Sequence, residues 1–191
     1  MPSHALRHWQ TRSRKVLDEL EAAHAQLAGS SSRRFARQQI AQAYVVALSS
    51  QFQRFCRDLY SEAVDHFVAQ PNFAPLEPVL LNSLNLNRRL AVGNANPGNI
   101  GADFGRFGLR LWDQVNRASP RNAVRQSKLG ELNLWRNAVA HQDFTNPALG
   151  GRDTLRIGEV RAWRSACSNL AVEFDRQVGL YLSSIIRVRP W

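Results

Sequence analysis

Three polar side chains of complementary chemistry stand close together in an otherwise apolar stretch. In Glu131-Leu132-Asn133-Leu134-Trp135-Arg136-Asn137-Ala138-Val139-Ala140-His141, the residues Arg136, Asn137 and His141 sit among Trp135, Ala138, Val139 and Ala140. At helical spacing Asn137 and His141 share one face, a turn apart, so the amide can hold or orient the imidazole. Arg136 precedes His141 by a rotation of about 140° and a rise of about 7.5 Å. The two are therefore not stacked, and only a long guanidinium side chain that curls around its helix brings them together. Arginine neutralises charge on a crowded phosphate anion, and histidine moves a proton near neutral pH. The structural alternative keeps the same residues for other ends: His141 caps its helix at the negative end of the macrodipole, and Arg136 pairs with Glu131 or Asp143.

Other chemistries find less support. Cys56 and Cys167 are the only cysteines, so neither a disulfide scaffold nor a four-thiolate zinc site can be built, and both fall at apolar helical positions where a thiol is inert. His4, His8, His24 and His66 are scattered without ligand spacing, and no carboxylate cluster able to hold magnesium or manganese lies near the motif. No metal and no cofactor are expected. The glycine row Gly101, Gly105, Gly108 lacks the Gly-Lys-Ser/Thr ending of a phosphate-cradling loop and reads as close packing. Trp9, Trp112 and Trp191 look exposed enough to stack on bases, although packing explains them more simply.

The elements that must position the motif are helical from end to end. A first helix is expected over 1–28, closed by the Gly29-Ser30-Ser31-Ser32 linker. A long second helix follows over about 33–69, with Tyr44, Leu48, Phe52, Phe55, Leu59, Ala63 and Phe67 as its core-facing row. Pro71, Pro75 and Pro78 end it, and a short helix is expected over 79–90. Residues 91–100, rich in glycine and asparagine, read as an irregular loop. Phe104, Phe107, Leu111 and Val115 then give a further stripe. Leu129, Leu132, Trp135 and Val139 mark the helix from about 122 to His141. A closing helix over 158–186 buries Trp163, Ala166, Leu170, Phe174, Val178 and Tyr181 or Leu182, with 187–191 as a short tail. The fold class is all-α: an antiparallel bundle of about five to six helices in one domain over 1–191.

Composition sets the remaining bounds. The chain has 191 residues, with 44% apolar and 21% charged residues, which excludes a wholly disordered protein. No apolar run approaches the length of a membrane span, and the basic first 16 residues lead into no apolar targeting core, so a cytoplasmic protein without membrane contact is expected. The net charge is +10, and every basic residue except Lys15 and Lys128 is arginine. From Arg88 to Lys128 there are eight basic and two acidic residues. Arg106, Arg110, Arg117, Arg121, Arg125 and Lys128 in this run are the candidate RNA-binding residues, the alternative being a solvated basic face.

The sequence Arg136-Asn137-Ala138-Val139-Ala140-His141 resembles the R-x4-6-H signature of HEPN domains, in the form where asparagine follows the arginine. The long aromatic-lined second helix and the closing helix after the motif are similar to the HEPN bundle as well, so that the likeness runs from about Arg33 to Ile186 in outline. It implies a metal-independent endoribonuclease with Arg136 and His141 catalytic and Asn137 supporting. In such enzymes the 2′-hydroxyl attacks the adjacent phosphorus, leaving a 2′,3′-cyclic phosphate. It also implies RNA as partner, a homodimer whose two motifs share one cleft, a possible cognate antitoxin protein, and a toxin, antiviral or stress role. The alternative is a catalytically silent HEPN-like module that binds RNA or protein. Relatives paired with a nucleotidyltransferase often carry tyrosine two residues after the histidine. Asp143 stands there in this chain, so control by modification of that tyrosine is not expected.

Overall fold

The computed structural model describes residues 1–27, 33–187 and 190–191. The expected linker 29–32 therefore lies outside the described residues, as do Ala28, Val188 and Arg189. The chain begins with α1 (His4–His8), a π-helical turn (Trp9–Ser13) and α2 (Arg14–Gln26), which together form the expected first helix. The long α3 (Arg34–Val68) follows, then a 3-10 segment (Pro71–Leu76), α4 (Glu77–Asn85) and the single turn α5 (Arg89–Val92). Next come α6 (Pro97–Gly105), α7 (Leu111–Ala118), α8 (Arg121–His141), a 3-10 turn (Pro147–Leu149) and α9 (Ile157–Ile186). The described residues contain no strand, and none of their helices is long and apolar enough to cross a membrane. The protein is all-α.

Cross-contacts give the directions of the helices. Glu21 meets Tyr44, Ser13 meets Gln51, and Glu62 accepts from the amides of His4 and Ala5, so the first helix runs antiparallel to α3. Arg125 meets Asn169 and Glu131 meets Trp163, so α8 and α9 are antiparallel too. The starts of α3 and α9 and the end of α8 accordingly lie at one end of the bundle. Six members of the α3 row, from Tyr44 to Ala63, are buried, and Phe67 is half-buried. Phe52 is the centre of this core: its ring lies 5.7 Å from Trp9, 5.8 Å from Phe55 and 6.2 Å from Phe174, tying the N-terminal segment, α3 and α9 together. Cys56 and Cys167 are buried free thiols, and burial pushes both well above the ordinary thiol range.

Several expectations need correction. The region 91–100 is not one irregular loop, because α5 ends at Val92 and α6 begins at Pro97. The Asn96 side chain accepts the Asn99 amide at 2.8 Å, and Pro97 fits the first helical turn, where no N–H is required, so only 93–96 is irregular. The stripe from Phe104 to Val115 is split into α6 and α7 by Gly108, whose φ is +86°. A Cβ there would lie 2.8 Å from the Tyr181 hydroxyl, which donates to Phe107 O at 2.7 Å. Such divisions raise the helix number above the expected five to six. Trp9 is fully packed rather than exposed, and Trp112 donates to Pro97 O at 2.7 Å. Of the expected tail, Arg187 closes α9 in the left-handed conformation and the Trp191 ring lies 5.6 Å from His66.

Candidate active site

The end of α8 carries the motif because both sides of the helix end are specified. Trp135, Ala138 and Val139 are buried, and the Trp135 ring packs at 6.4 Å from both Trp163 of α9 and Phe144 of the following loop. The Arg152 guanidinium covers the Trp135 ring at 5.2 Å and pairs with Glu159 at 2.7 Å. Gln142 stops the helix in the left-handed conformation (φ 52°, ψ 33°), and the Asp143 amide returns to Ala138 O at 3.0 Å. His141 is thus the last helical residue, and it is exposed together with Asn137.

The guanidinium of Arg136 bonds to the next residue along the helix. Its Nη1 donates to Asn137 Oδ1 at 3.2 Å, which draws the charge toward the face that His141 shares with Asn137. Among the described residues Arg136 makes no ion pair, and the two acids proposed to neutralise it are engaged elsewhere. Glu131 is held by Lys128 at 2.9 Å and by the Trp163 indole N–H at 3.0 Å, and these hydrogen bonds keep its carboxyl below the usual range against the opposing effect of burial. Asp143 Oδ1 accepts from the Thr145 hydroxyl and amide at 2.6 and 3.0 Å, which lowers its pKa, with His141 adding to the effect.

Among the described residues no hydrogen bond joins Asn137 to the imidazole. Asn137 Oδ1 accepts from Arg136 and from Asn94 Nδ2, the latter at 2.6 Å, so its role is to fix the guanidinium. Asn94 lies in the 93–96 segment, whose ends are pinned on two sides. Gln53 of α3 donates to Leu90 O at 3.0 Å and Gly93 O at 2.8 Å, and the buried Asn133 of α8 donates to Ala95 O at 3.1 Å. Sequence reasoning missed Asn94. The only signal was the density of asparagines in a segment too short for so many polar side chains to go unused.

Residues 11–179 match the family model described as RiboL-PSP-HEPN. The chain belongs to this family. Comparison with curated proteins and with solved structures gives no match. The RiboL-PSP-HEPN match runs from within the first helix to Gly179 of α9, and the resemblance read from Arg136 to His141 therefore rests on most of the chain.

In this HEPN protein the basic run does not form one uncompensated patch. Arg110 pairs with Asp113 at 2.9 Å, Lys128 with Glu131, and Arg125 with Asn122 and Asn169, while Arg106 donates to Ser83 O. Arg117 and Arg121 are exposed and make no ion pair among the described residues. Arg121 begins α8 and His141 ends it, a separation of about 30 Å along the axis. Among the described residues no group of three or more His, Cys, Asp and Glu side chains is placed to hold a metal ion.

Proposed function

We propose that the chain is a metal-independent endoribonuclease in which Arg136 and His141 act on one phosphodiester. The observation that carries this reading is the Arg136 guanidinium, free of any ion pair among the described residues and bonded to Asn137, which sits one helical turn before the exposed His141. In the reaction the 2′-hydroxyl loses its proton and attacks the adjacent phosphorus. Arg136 balances the negative charge that develops on the non-bridging oxygens, and the 5′-oxygen leaves with a proton, giving a 2′,3′-cyclic phosphate and a 5′-hydroxyl. One copy presents this face to solvent, and the cavities of about 620, 520, 330 and 410 Å³ elsewhere on the molecule are lined by other residues. Two copies facing each other would close the missing cleft and bring a second imidazole, so that one ring serves as base and the other as acid. Arg117 and Arg121, with the rest of the basic run, would steer the strand. A cytoplasmic toxin, antiviral or stress effector, neutralised by a cognate antitoxin protein, fits this activity.

The test is cleavage of single-stranded RNA by purified protein in excess EDTA, with the cyclic-phosphate product identified by mass. Activity that vanishes with chelator and returns with manganese would sink the reading. The open surface of the single copy favours one second reading, a catalytically silent RNA- or protein-binding HEPN module. Expression in a host separates the two: growth arrest by the native chain but not by His141→Ala leaves only the nuclease.

Asn94 gives a finer test. Asn94→Ala removes the donor that holds Asn137 in place, and cleavage should fall about ten- to a hundredfold through misplacement of the guanidinium. Unfolding stability should drop by about 1 kcal/mol or less, since the bond is exposed. Equal rates for Asn94→Ala and the parent in single-turnover assays would remove Asn94 from the site.

A further inference from the structure

We propose that the end of the bundle where α3 and α9 begin holds a binding site for a phosphate group, separate from the motif at the end of α8. A cavity of about 330 Å³ opens there between the last turn of α2 and the first turns of α3 and α9, lined by His24, Arg34, Arg37, Gln38, Arg156 and Ile157 among others. Its three arginines make no ion pair among the described residues. The acids nearby serve other cations: Glu21 binds Arg161 and Arg164, Asp18 binds Arg164, and Glu159 binds Arg152. Two donors in this wall, Arg37 Nε and Gln38 Nε2, are shut away from water with no acceptor among the described residues. Buried donors of this kind are normally paired, and an anion in the cavity would supply the acceptors. His24 is 7% exposed and its imidazole makes no hydrogen bond among the described residues. Burial, followed by Arg37 and Arg161, lowers its pKa, and Glu21 opposes the shift, so the ring is a neutral partner that can accept from a ligand hydroxyl or donate to its oxygen. α3 and α9 both begin in this wall, so the positive ends of two helix dipoles lie beside the cavity.

Three guanidinium forks and orphaned N–H donors match the tetrahedral oxygens of phosphate better than the two oxygens of one carboxylate. The cavity exceeds the size of a bare phosphate, so the phosphate can be carried on a larger molecule, and a nucleotide, either free or at the end of an RNA strand, is the form the probes test. The site does not depend on whether His141 cuts RNA, and binding is therefore measured on the full-length His141→Ala protein. The probes are inorganic phosphate, a ribonucleoside 5′-monophosphate, and a 2′-O-methyl oligoribonucleotide with and without a 5′-phosphate. Inorganic phosphate should bind and raise the thermal midpoint, and Arg37→Met or Arg34→Ala should weaken binding about tenfold or more. In phosphate-free buffer Arg37→Met should unfold no earlier than its parent, because the buried donor it removes had no partner; Arg156→Ala, exposed on the opposite wall, repeats the binding test without touching the core. If the 5′-phosphate raises oligonucleotide affinity in competition with inorganic phosphate, the site takes an RNA end. If only the small probes bind, it takes a free nucleotide. Either result upholds the site. The proposal is overturned if no probe binds, or if binding is indifferent to all three substitutions.

Discussion

His141→Ala should lower RNA cleavage by about two to four orders of magnitude while leaving the fold intact. The imidazole is exposed at the last residue of α8, and the helix end is fixed by Trp135, Val139 and the Gln142 turn rather than by His141. Its removal should therefore change unfolding stability by only about 0.5 kcal/mol. Arg136→Ala should act with similar force, and Arg136→Lys should rescue little, because an ammonium cannot both reach Asn137 Oδ1 and present a flat fork to phosphate. Single-turnover rates in EDTA, together with circular dichroism, decide the matter. Cleavage within about twofold of the parent for His141→Ala would end the catalytic assignment.

The second large effect falls on stability. Phe52→Ala should cost about 3–5 kcal/mol, since its ring is fully buried and touches Trp9, Phe55 and Phe174 on three different parts of the chain. For a protein of this size the midpoint should fall by roughly 6–20 °C. Phe35→Ala supplies the contrast: Phe35 is 75% exposed, and its loss should move the midpoint hardly at all. Urea unfolding of both variants measures the difference. A Phe52→Ala protein as stable as the parent would mean that the aromatic centre does not hold the helices together.

The long elements were legible because each is bounded by residues that cannot continue it. The α3 row ends at prolines, α8 starts after Pro120, and Asn146-Pro147 with Gly150-Gly151 separate α8 from α9, so these bounds agree within a residue or two. The centre was harder to read. Gly98, Gly101 and Gly105 lower the helix propensity of α6, and the Asn96-Pro97 start that rescues it looks like a turn when taken alone. At the site, residue type and spacing pointed to Arg136, Asn137 and His141, yet spacing alone suggested the imidazole as the partner of Asn137, whose hydrogen bonds run to Arg136 and Asn94. The Asn94 contact spans 43 residues and the pairing of Arg125 with Asn169 spans 44, so neither leaves a local trace. The cavity beside His24 is assembled from three helix ends and was invisible for the same reason.

Because Trp163 and Phe174 of α9 wall off Trp135 and Phe52, a nascent polypeptide still missing this helix has no finished core under its motif. During synthesis the end of α8 therefore stays unsupported beneath Trp135 until α9 has followed it out of the ribosome.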